Sequence, residues 1–288
     1  MFRNFIVAIV LALCTLPLGA QTLVVEGVLS PAWLERGGKR EPLTTGMTLA
    51  ARDKVHTGPG SRALIRMAEG SAVKLGENAT LAIDDFLEKK DGGKTLVNAS
   101  LDVARGAFRF TTGVFSRRPA QRDVKVKIST ITAGIRGTDV WGRSTSQEDL
   151  VCLLDGQISV EHGGREFSMA EPLLFFIAPR GQPPKPVASV DKRQVDEWSK
   201  ETELRDGGGA LRRDGRHGVD VSAATDQGSA AQILNKVRAA GYPARTESTR
   251  GYGGEEHHVR IIGLATPEDA AALAAKLRAL GFADAQGR

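Results

Sequence analysis

Five side chains near the C-terminus are the chain's best candidates for a binding site. Two strand-like runs, Gly218–Ser222 and His257–Ile262, alternate apolar and polar residues. If Val259, Ile261 and the two valines of the first run point into a core, the other side chains share the opposite sheet face. These candidates are Asp220, Ser222, His258, Arg260 and Ile262. Polar donors, a guanidinium and some apolar surface suit the hydroxyl and amide groups of a sugar chain. The alternative is an ordinary solvated sheet face.

No residues in the sequence have the spacing of a catalytic or metal site. None of the five histidines pairs with a second ligand at helical spacing, and no pair of cysteines has zinc-site spacing, so a zinc site has no support. A nucleophile elbow, a phosphate loop and a dinucleotide fingerprint are also absent from the sequence. We therefore expect a protein that is not an enzyme and has no metal or cofactor. An enzyme built from carboxylates far apart in sequence is a weaker alternative.

Two copies of one helical pattern position the candidate strands. Residues 231–242 read AQILNKVRAAGY and residues 271–282 read AALAAKLRALGF, with Gly241 and Gly281 at matching places. Apolar residues recur at helical spacing in each copy, and glycine follows each helix end. Thr266 is predicted to cap the second helix and Ser229 the first. Because a strand precedes each helix, we predict a small split βαβ (ferredoxin-like) fold with both helices on one sheet face.

This duplicated segment resembles the SPOR domain (sporulation-related repeat), a small bacterial module that binds peptidoglycan. The matching features are the two A-x-x-L-x-x-x-L-x-x-x-G helices and the strand His258-Val-Arg-Ile-Ile-Gly263, over about residues 217–288. The resemblance implies peptidoglycan as a partner, with a preference for glycan strands stripped of stem peptides. The alternative is a ferredoxin-like appendage without a glycan site.

The long middle of the chain is predicted to be all β. From Thr22 to about Ala178, short alternating runs rich in Val, Ile, Leu and Thr are separated by Gly, Asp and Asn. In residues 124–128, for example, Val and Ile alternate with two lysines, so this strand should have one wet face. The pattern favours a sandwich, a barrel or a short solenoid.

An ordered set of motifs in this region resembles the FecR domain, a bacterial periplasmic β domain. The set includes Asp53-x-Val-x-Thr57-Gly58, Leu101-x-x-x-x-Gly106, Ile135-Arg-Gly-Thr138 and Leu154-Asp-Gly156, and it covers about residues 24–178. We expect the first motif to close a turn in which Gly58 takes a positive φ. Arg136 is expected to tie loop carbonyls or a buried carboxylate, with a partner contact as the alternative. Some members of the family are signalling proteins, so the resemblance also allows a regulator.

The N-terminus has the composition of an export leader. Arg3 precedes an apolar run from Phe5 to Leu13, and the predicted cleavage follows Ala20. An uncleaved anchor is the alternative. The formal net charge of +5 falls to +4 once Arg3 is removed with the leader. We therefore expect a soluble periplasmic protein with no stable membrane span and no nucleic-acid partner.

A change of composition after Pro179 predicts a linker. A helix is expected near residues 189–204, with Val195 and Trp198 docking on the β domain, because an isolated helix of that length is marginal. The glycine-rich run from Asp206 to Gly215 is predicted to be a flexible tether. The basic turn Ser116–Arg122 is either a solvated loop or a contact for an acidic partner.

These predictions combine into one domain plan. It has a signal peptide at 1–20, a FecR-like β domain at 21–178, a linker at 179–216 and a SPOR-like domain at 217–288. We expect a non-enzymatic cell-envelope protein that binds peptidoglycan through its C-terminal domain and offers its β domain to an envelope protein partner. The alternatives are a periplasmic regulator of the anti-sigma type and, less favoured, a wall-remodelling enzyme.

Overall fold

The structure, a computed structural model, describes residues 23–91, 94–113, 120–251 and 254–288. The chain is mostly β, with 53% of its residues in strands and three helices in the described residues. This confirms the predicted fold class. The predicted leader at 1–20 lies outside the described residues, as does most of the basic turn at 116–122.

Seventeen strands among the described residues make up the β domain. They form two hydrogen-bonded sheets, called here sheet A and sheet B. In chain order the strands are β1 (Leu23–Leu29), β2 (Ala32–Arg36), β3 (Lys39–Pro42), β4 (Thr48–Leu49), β5 (Lys54–Thr57), β6 (Arg62–Arg66), β7 (Ala72–Leu75), β8 (Thr80–Asp91), β9 (Lys94–Thr111), β10 (Ala120–Ile128), β11 (Ile131–Ile135), β12 (Asp139–Ser144), β13 (Glu148–Asp155), β14 (Ile158–His162), β15 (Arg165–Met169), β16 (Leu174–Pro179) and β17 (Ala188–Ser189).

The long strand β9 belongs to both sheets. Sheet A runs β1–β6–β7–β9–β12–β13–β16–β17, with β4 also pairing with β1. Sheet B runs β3–β2–β5–β8–β9–β10–β11–β14–β15. Gly106 lies where β9 passes from sheet B to sheet A. It has φ +88°, and a Cβ there would lie 2.5 Å from the Cα of Ala79. This position therefore requires glycine, both for its backbone angle and for the close approach of Ala79.

Strand alternation builds the core of the β domain. On β10, Val124, Val126 and Ile128 are buried while Lys125 and Lys127 are exposed, as the sequence predicted. Strand β13 differs, because residues on both of its faces are buried, Cys152 and Leu153 among them. One face of β13 meets the main core, and the other needs a separate cover.

The first helix is that cover. Helix α1 (Lys192–Lys200) begins at Asp191, whose side chain accepts a hydrogen bond from the backbone N–H of Arg193. Val195 is buried, and the indole of Trp198 stacks on that of Trp141, with 5.1 Å between ring centroids and 5° between planes. The apolar stripe of α1 thus packs on the outer face of sheet A, which closes a second small core around Cys152.

The motif around Asp53 is structural, with one difference from expectation. Asp53 accepts a hydrogen bond from the backbone N–H of Ala50, and the Thr57 hydroxyl donates to the carbonyl of Gly76. Gly58 is not among the positive-φ residues; instead, a Cβ there would lie 2.9 Å from the Pro31 side chain. The prediction of a positive φ was therefore wrong, and close packing is what requires glycine.

The C-terminal segment has the predicted split βαβ fold. Its elements are β18 (Ala210–Arg212), β19 (His217–Ala224), α2 (Gln227–Ala239), β20 (Arg245–Gly251), β21 (Gly254–Leu264), α3 (Pro267–Ala279) and β22 (Gln286–Gly287). The sheet order is β22–β19–β21–β20. Thr266 caps α3 as expected, but Asp226 caps α2 by accepting from the N–H of Ser229, so Ser229 is not the cap.

The glycine-rich segment after α1 is not a tether. Residues 210–212 form β18, which pairs with β1 on one side and, through Leu211 opposite Leu264, with β21 on the other. The buried carboxylate of Asp269 accepts from the N–H groups of Gly209 and Ala210, at 2.9 and 3.3 Å. The composition predicted flexibility because glycines have few side-chain contacts. Backbone hydrogen bonds to distant residues fix the segment instead.

Candidate functional site

The sheet of the C-terminal segment has one covered face and one open face. Val219, Val259 and Ile261 are buried under the helices, with exposed fractions of 1% or less. Residues directly opposite each other on paired strands share a face. The register places Asp220 opposite Arg260, so both lie on the face away from the helices, as predicted.

Arg260 is the centre of the open face. Its Nε lies 2.5 Å from a carboxylate oxygen of Asp220, and its Nη1 lies 2.7 Å from one of Glu247. Glu247 also accepts from Arg245, and Arg288 lies 3.9 Å from Asp220. Three arginines and two carboxylates therefore form one network, called here the Arg260 network.

The network shifts the pKa values of its members. The hydrogen bond from Arg260, and then that from Arg245, lower the pKa of the Glu247 carboxyl. The hydrogen bond to Glu247 raises the pKa of Arg260. Both groups are therefore charged at neutral pH, and the guanidinium of Arg260 is held in one orientation. Since arginine has five N–H donors, the two ion pairs leave N–H groups free for a ligand.

His258 and Ile262 lie on either side of the Arg260 network along β21. His258 is opposite Ala223, and its Nε2 lies 3.1 Å from the Thr249 hydroxyl. Ile262 is 45% exposed, which is unusual for a large apolar side chain in this protein. An open groove of about 300 Å³ runs beside Ile262, Arg260 and Arg216. The open face thus combines fixed hydrogen-bond donors with an apolar contact.

Ser222 does not join this arrangement. A bulge in β19 shifts the register between Asp220 and Ser222, so Ser222 is opposite Val259, a residue of the covered face. Ala223 instead lies opposite His258, at the open-face position that was predicted for Ser222. Simple alternation placed Ser222 on the open face, but an extra residue in one strand reverses the sides of those that follow.

Several members of the open face could not be predicted from the sequence. Strand β20 reads RTESTRG and has no apolar residue, so no alternation could tell which side Arg245 and Glu247 occupy. Strand β22 is only two residues long, and its Gln286 is opposite Asp220. Only the predicted duplication suggested that further strands pair here. Neither strand had a pattern that could identify its outward side chains.

Arg136 and Cys152 have no functional chemistry in the structure. Arg136 is exposed and, in the part of the chain that the structure describes, has no hydrogen bond or ion pair, so the predicted structural tie is wrong. Burial raises the pKa of the Cys152 thiol to about 12, which makes it an inert core residue. Among the described residues no group of three or more His, Cys, Asp or Glu side chains could hold a metal ion.

Comparison with solved structures finds matches at low identity. Two are crystal structures described as a "putative anti-sigma factor" from Parabacteroides distasonis ATCC 8503, at 2.50 and 1.65 Å resolution. The first is 13% identical and matches 51% of this chain and 63% of its own, with a TM-score of 0.40. The second is 9% identical and matches 68% of this chain and 94% of its own, also with a TM-score of 0.40. No curated protein matches the sequence.

Family models identify both parts of the chain. A model described as FecR protein matches residues 53–159, and a model described as SPOR domain matches residues 214–286. The order of the two matches and the segments they cover agree with the resemblance found in the motifs. The chain thus carries a FecR domain followed by a SPOR domain.

Proposed function

We propose that this chain is an exported, non-enzymatic envelope protein that binds the glycan strands of peptidoglycan through the open face of its SPOR domain. SPOR domains bind peptidoglycan. The observation that carries the proposal is that this chain's SPOR domain presents an open sheet face with the Arg260 network at its centre. A stem-peptide-poor glycan is the expected ligand.

The chemistry of the open face supports a sugar ligand. Arg260 is held in one orientation, so its remaining N–H groups can meet hydroxyl or acetamido oxygens with little loss of side-chain entropy. His258 adds a polar group, and the exposed Ile262 offers apolar contact to the methyl group of an N-acetyl substituent. The three arginines of the network outnumber its two carboxylates, which suits a glycan whose carboxylates are spaced along the strand better than a densely charged polyanion.

The FecR domain is, in this proposal, the interaction module of the protein. FecR and SPOR domains are typical of envelope proteins, and both are non-catalytic families. Among the described residues no helix has both the length and the hydropathy to cross a bilayer. We place the protein in the periplasm, after removal of the leader at 1–20, where the SPOR domain locates the FecR domain on the cell wall.

A signalling regulator is the second candidate function. The FecR match is the observation that favours it. In that case the FecR domain relays an envelope signal to a membrane partner, and the SPOR domain only anchors the molecule. Recovery of a sigma-factor regulator crosslinked to the FecR domain in cells would favour this candidate over the first.

Sedimentation with purified sacculi tests the first proposal. We expect the full chain to pellet with sacculi, and more strongly once amidase treatment has removed the stem peptides. Replacement of Ile262 by Ser is expected to weaken retention about tenfold, because one exposed apolar contact is lost without disturbing the fold. Arg260→Ala should weaken it further.

Arg238 provides the matched control. It is an exposed arginine on α2, on the covered side of the same sheet, and it forms no ion pair within the residues that the structure describes. Arg238→Ala should therefore bind sacculi as the wild type does. Equal recovery of the wild type with and without sacculi, or equal losses from Arg238→Ala and Arg260→Ala, would contradict the proposal.

A further inference from the structure

The FecR domain has an open groove that the proposed glycan binding does not use. It has a volume of about 670 Å³ and lies at one end of sheet A. One part of its wall comes from the start of β6, the turn between β7 and β8, and the part of β9 around Gly106. The rest comes from the hairpin between β12 and β13 and from the segment after α1. We call it the arginine groove because Arg62, Arg105 and Arg143 line it.

Two of these arginines have no carboxylate partner. In the described residues neither Arg62 nor Arg105 lies within 4.0 Å of a carboxylate, and the only hydrogen bond of the Arg62 side chain goes to the carbonyl of Ser61. Arg62 is half-buried, and burial lowers its pKa. Glu77 and Glu201 attract Arg62 at longer range, but neither forms a hydrogen bond with it, so N–H groups of its guanidinium remain available to bind an anion.

The third arginine already holds a carboxylate from this chain. Glu201, just after α1, accepts from Arg143 at 3.0 Å and lines the same groove. Burial raises the pKa of the Glu201 carboxyl even though Arg143 opposes the shift. An acidic residue of the chain itself thus shows which chemistry the groove accepts, and it occupies one of the three arginines.

The walls of the groove favour the carboxylates of a peptide over the phosphates of a polyphosphate chain. Arginine forks match planar carboxylates with two parallel hydrogen bonds. Glu77 and Glu201 stand in the same walls, so a ligand of high charge density such as polyphosphate would be repelled by both. Hydroxyl and amide groups of Asn78, Ser146 and Gln147 complete the lining and suit a peptide backbone.

We infer that the arginine groove binds an acidic segment of a protein partner, with Arg62 and Arg105 as the anchoring residues and Glu201 as an internal competitor for Arg143. The inference rests on the proposed role of the FecR domain as an interaction module. It does not depend on the SPOR open face, so sacculus binding and groove binding can succeed or fail separately.

Fluorescence anisotropy with a labelled decaglutamate peptide tests the inference on the full chain at low ionic strength. We expect saturable binding by the wild type. Removal of the anchors by Arg62→Gln with Arg105→Gln should weaken it about tenfold. Glu201→Gln should instead strengthen it about threefold, because Arg143 is released from its internal partner.

Each change has a control of equal charge. Glu203→Gln removes a carboxylate two residues after Glu201, but Glu203 pairs with Lys74 and Arg109 in the neighbouring groove. Arg66→Gln with Arg238→Gln removes two arginines outside the arginine groove, one on β6 that pairs with Glu26 and one exposed on α2. Both variants should leave peptide binding within a factor of about two of the wild type.

Three results would overturn the inference. The first is no saturable binding of decaglutamate by the wild type or by Glu201→Gln. The second is an equal effect of each variant and its control, which would mean that only net charge matters. The third is tighter binding of polyphosphate than of decaglutamate, which would assign the groove to a different class of ligand. Thermal unfolding of every variant verifies that each one is folded.

Discussion

The Arg260 network shows how a residue can serve the fold and a ligand together. Asp220 and Glu247 come from different strands, and Arg260 between them ties β19, β21 and β20 on the open side. The same two ion pairs fix the direction of the guanidinium. A ligand on this face would therefore meet a preorganised donor and not a mobile side chain.

Acidification should weaken this network. The pKa of Glu247 is lowered in the folded protein, so the stability it contributes is complete above its ordinary pKa of 4.5 and is lost as the pH falls through its lower folded value. We expect the wild type to unfold at a higher temperature than Glu247→Gln at pH 7. Thermal scans should show the two converging below pH 4.5, toward pH 3. A gap that stays constant over this range would exclude the ion pairs as its source.

The sequence predicted only part of the candidate site, for reasons that differ between residues. Asp220 and Arg260 were placed correctly, because buried valines and isoleucines on the same strands fix the alternation. Ser222 was misplaced, because a bulge leaves no mark in the sequence. Glu247 was missed, because a uniformly polar strand has no side that alternation can identify.

At the scale of elements, helix α1 completes the FecR domain. Trp198 of the helix covers Trp141, and beneath them lies Cys152 on the outer side of β13. The helix is only nine residues long and would be marginal alone, so packing on sheet A is what maintains it.

Loss of this packing should expose the thiol of Cys152. We expect Trp198→Ala to lower the free energy of unfolding by about 1–3 kcal/mol, from lost burial and ring stacking. In the native wild type at pH 8, Cys152 should resist an aromatic disulfide reagent, because its pKa is about 12 and it is buried. The variant should react faster. The exposed Glu197 of the same helix is the control, and equal labelling rates for Glu197→Ala and Trp198→Ala would contradict this role of α1.

The buried carboxylate of Asp269 should be the main support of β18. Its replacement by Ala leaves the N–H groups of Gly209 and Ala210 without their acceptor, which should cost about 2–3 kcal/mol. Chemical denaturation measures this loss. Glu268→Ala, next to it on the exposed side of α3, should change stability by about 0.5 kcal/mol or less. Similar losses from both variants would mean that Asp269 has no special role.

The elements themselves were largely predictable, and their long-range pairing was not. The helices after Asp226 and Thr266 follow from apolar spacing and a glycine at each end, which are local properties of the chain. Strand β18 could not be found this way. Its partners β1 and β21 lie far away in sequence, and its own glycine-rich flanks are typical of a loop.

At the scale of the molecule, the two domains should unfold as one unit. Leu211 is 1% exposed and lies opposite Val28 in the FecR domain and Leu264 in the SPOR domain. Ala32 also donates to the carbonyl of Gly241 after α2. Calorimetry of the wild type should therefore show a single transition. Leu211→Ser should separate it into two, because the variant removes the apolar contact common to both domains. Two transitions already in the wild type would contradict this coupling.

Strand β18 also has a mechanical consequence. One edge of β18 is hydrogen-bonded to the FecR domain and the other to the SPOR domain. The strand is therefore a stiff connection that transmits force between the two domains, unlike a flexible linker. A protein held on the cell wall by its SPOR domain would keep its FecR domain in a fixed orientation relative to the wall. If the SPOR domain binds a glycan strand as proposed, the dimensions of the protein set the reach of the FecR domain, and the direction of the glycan strand sets its orientation.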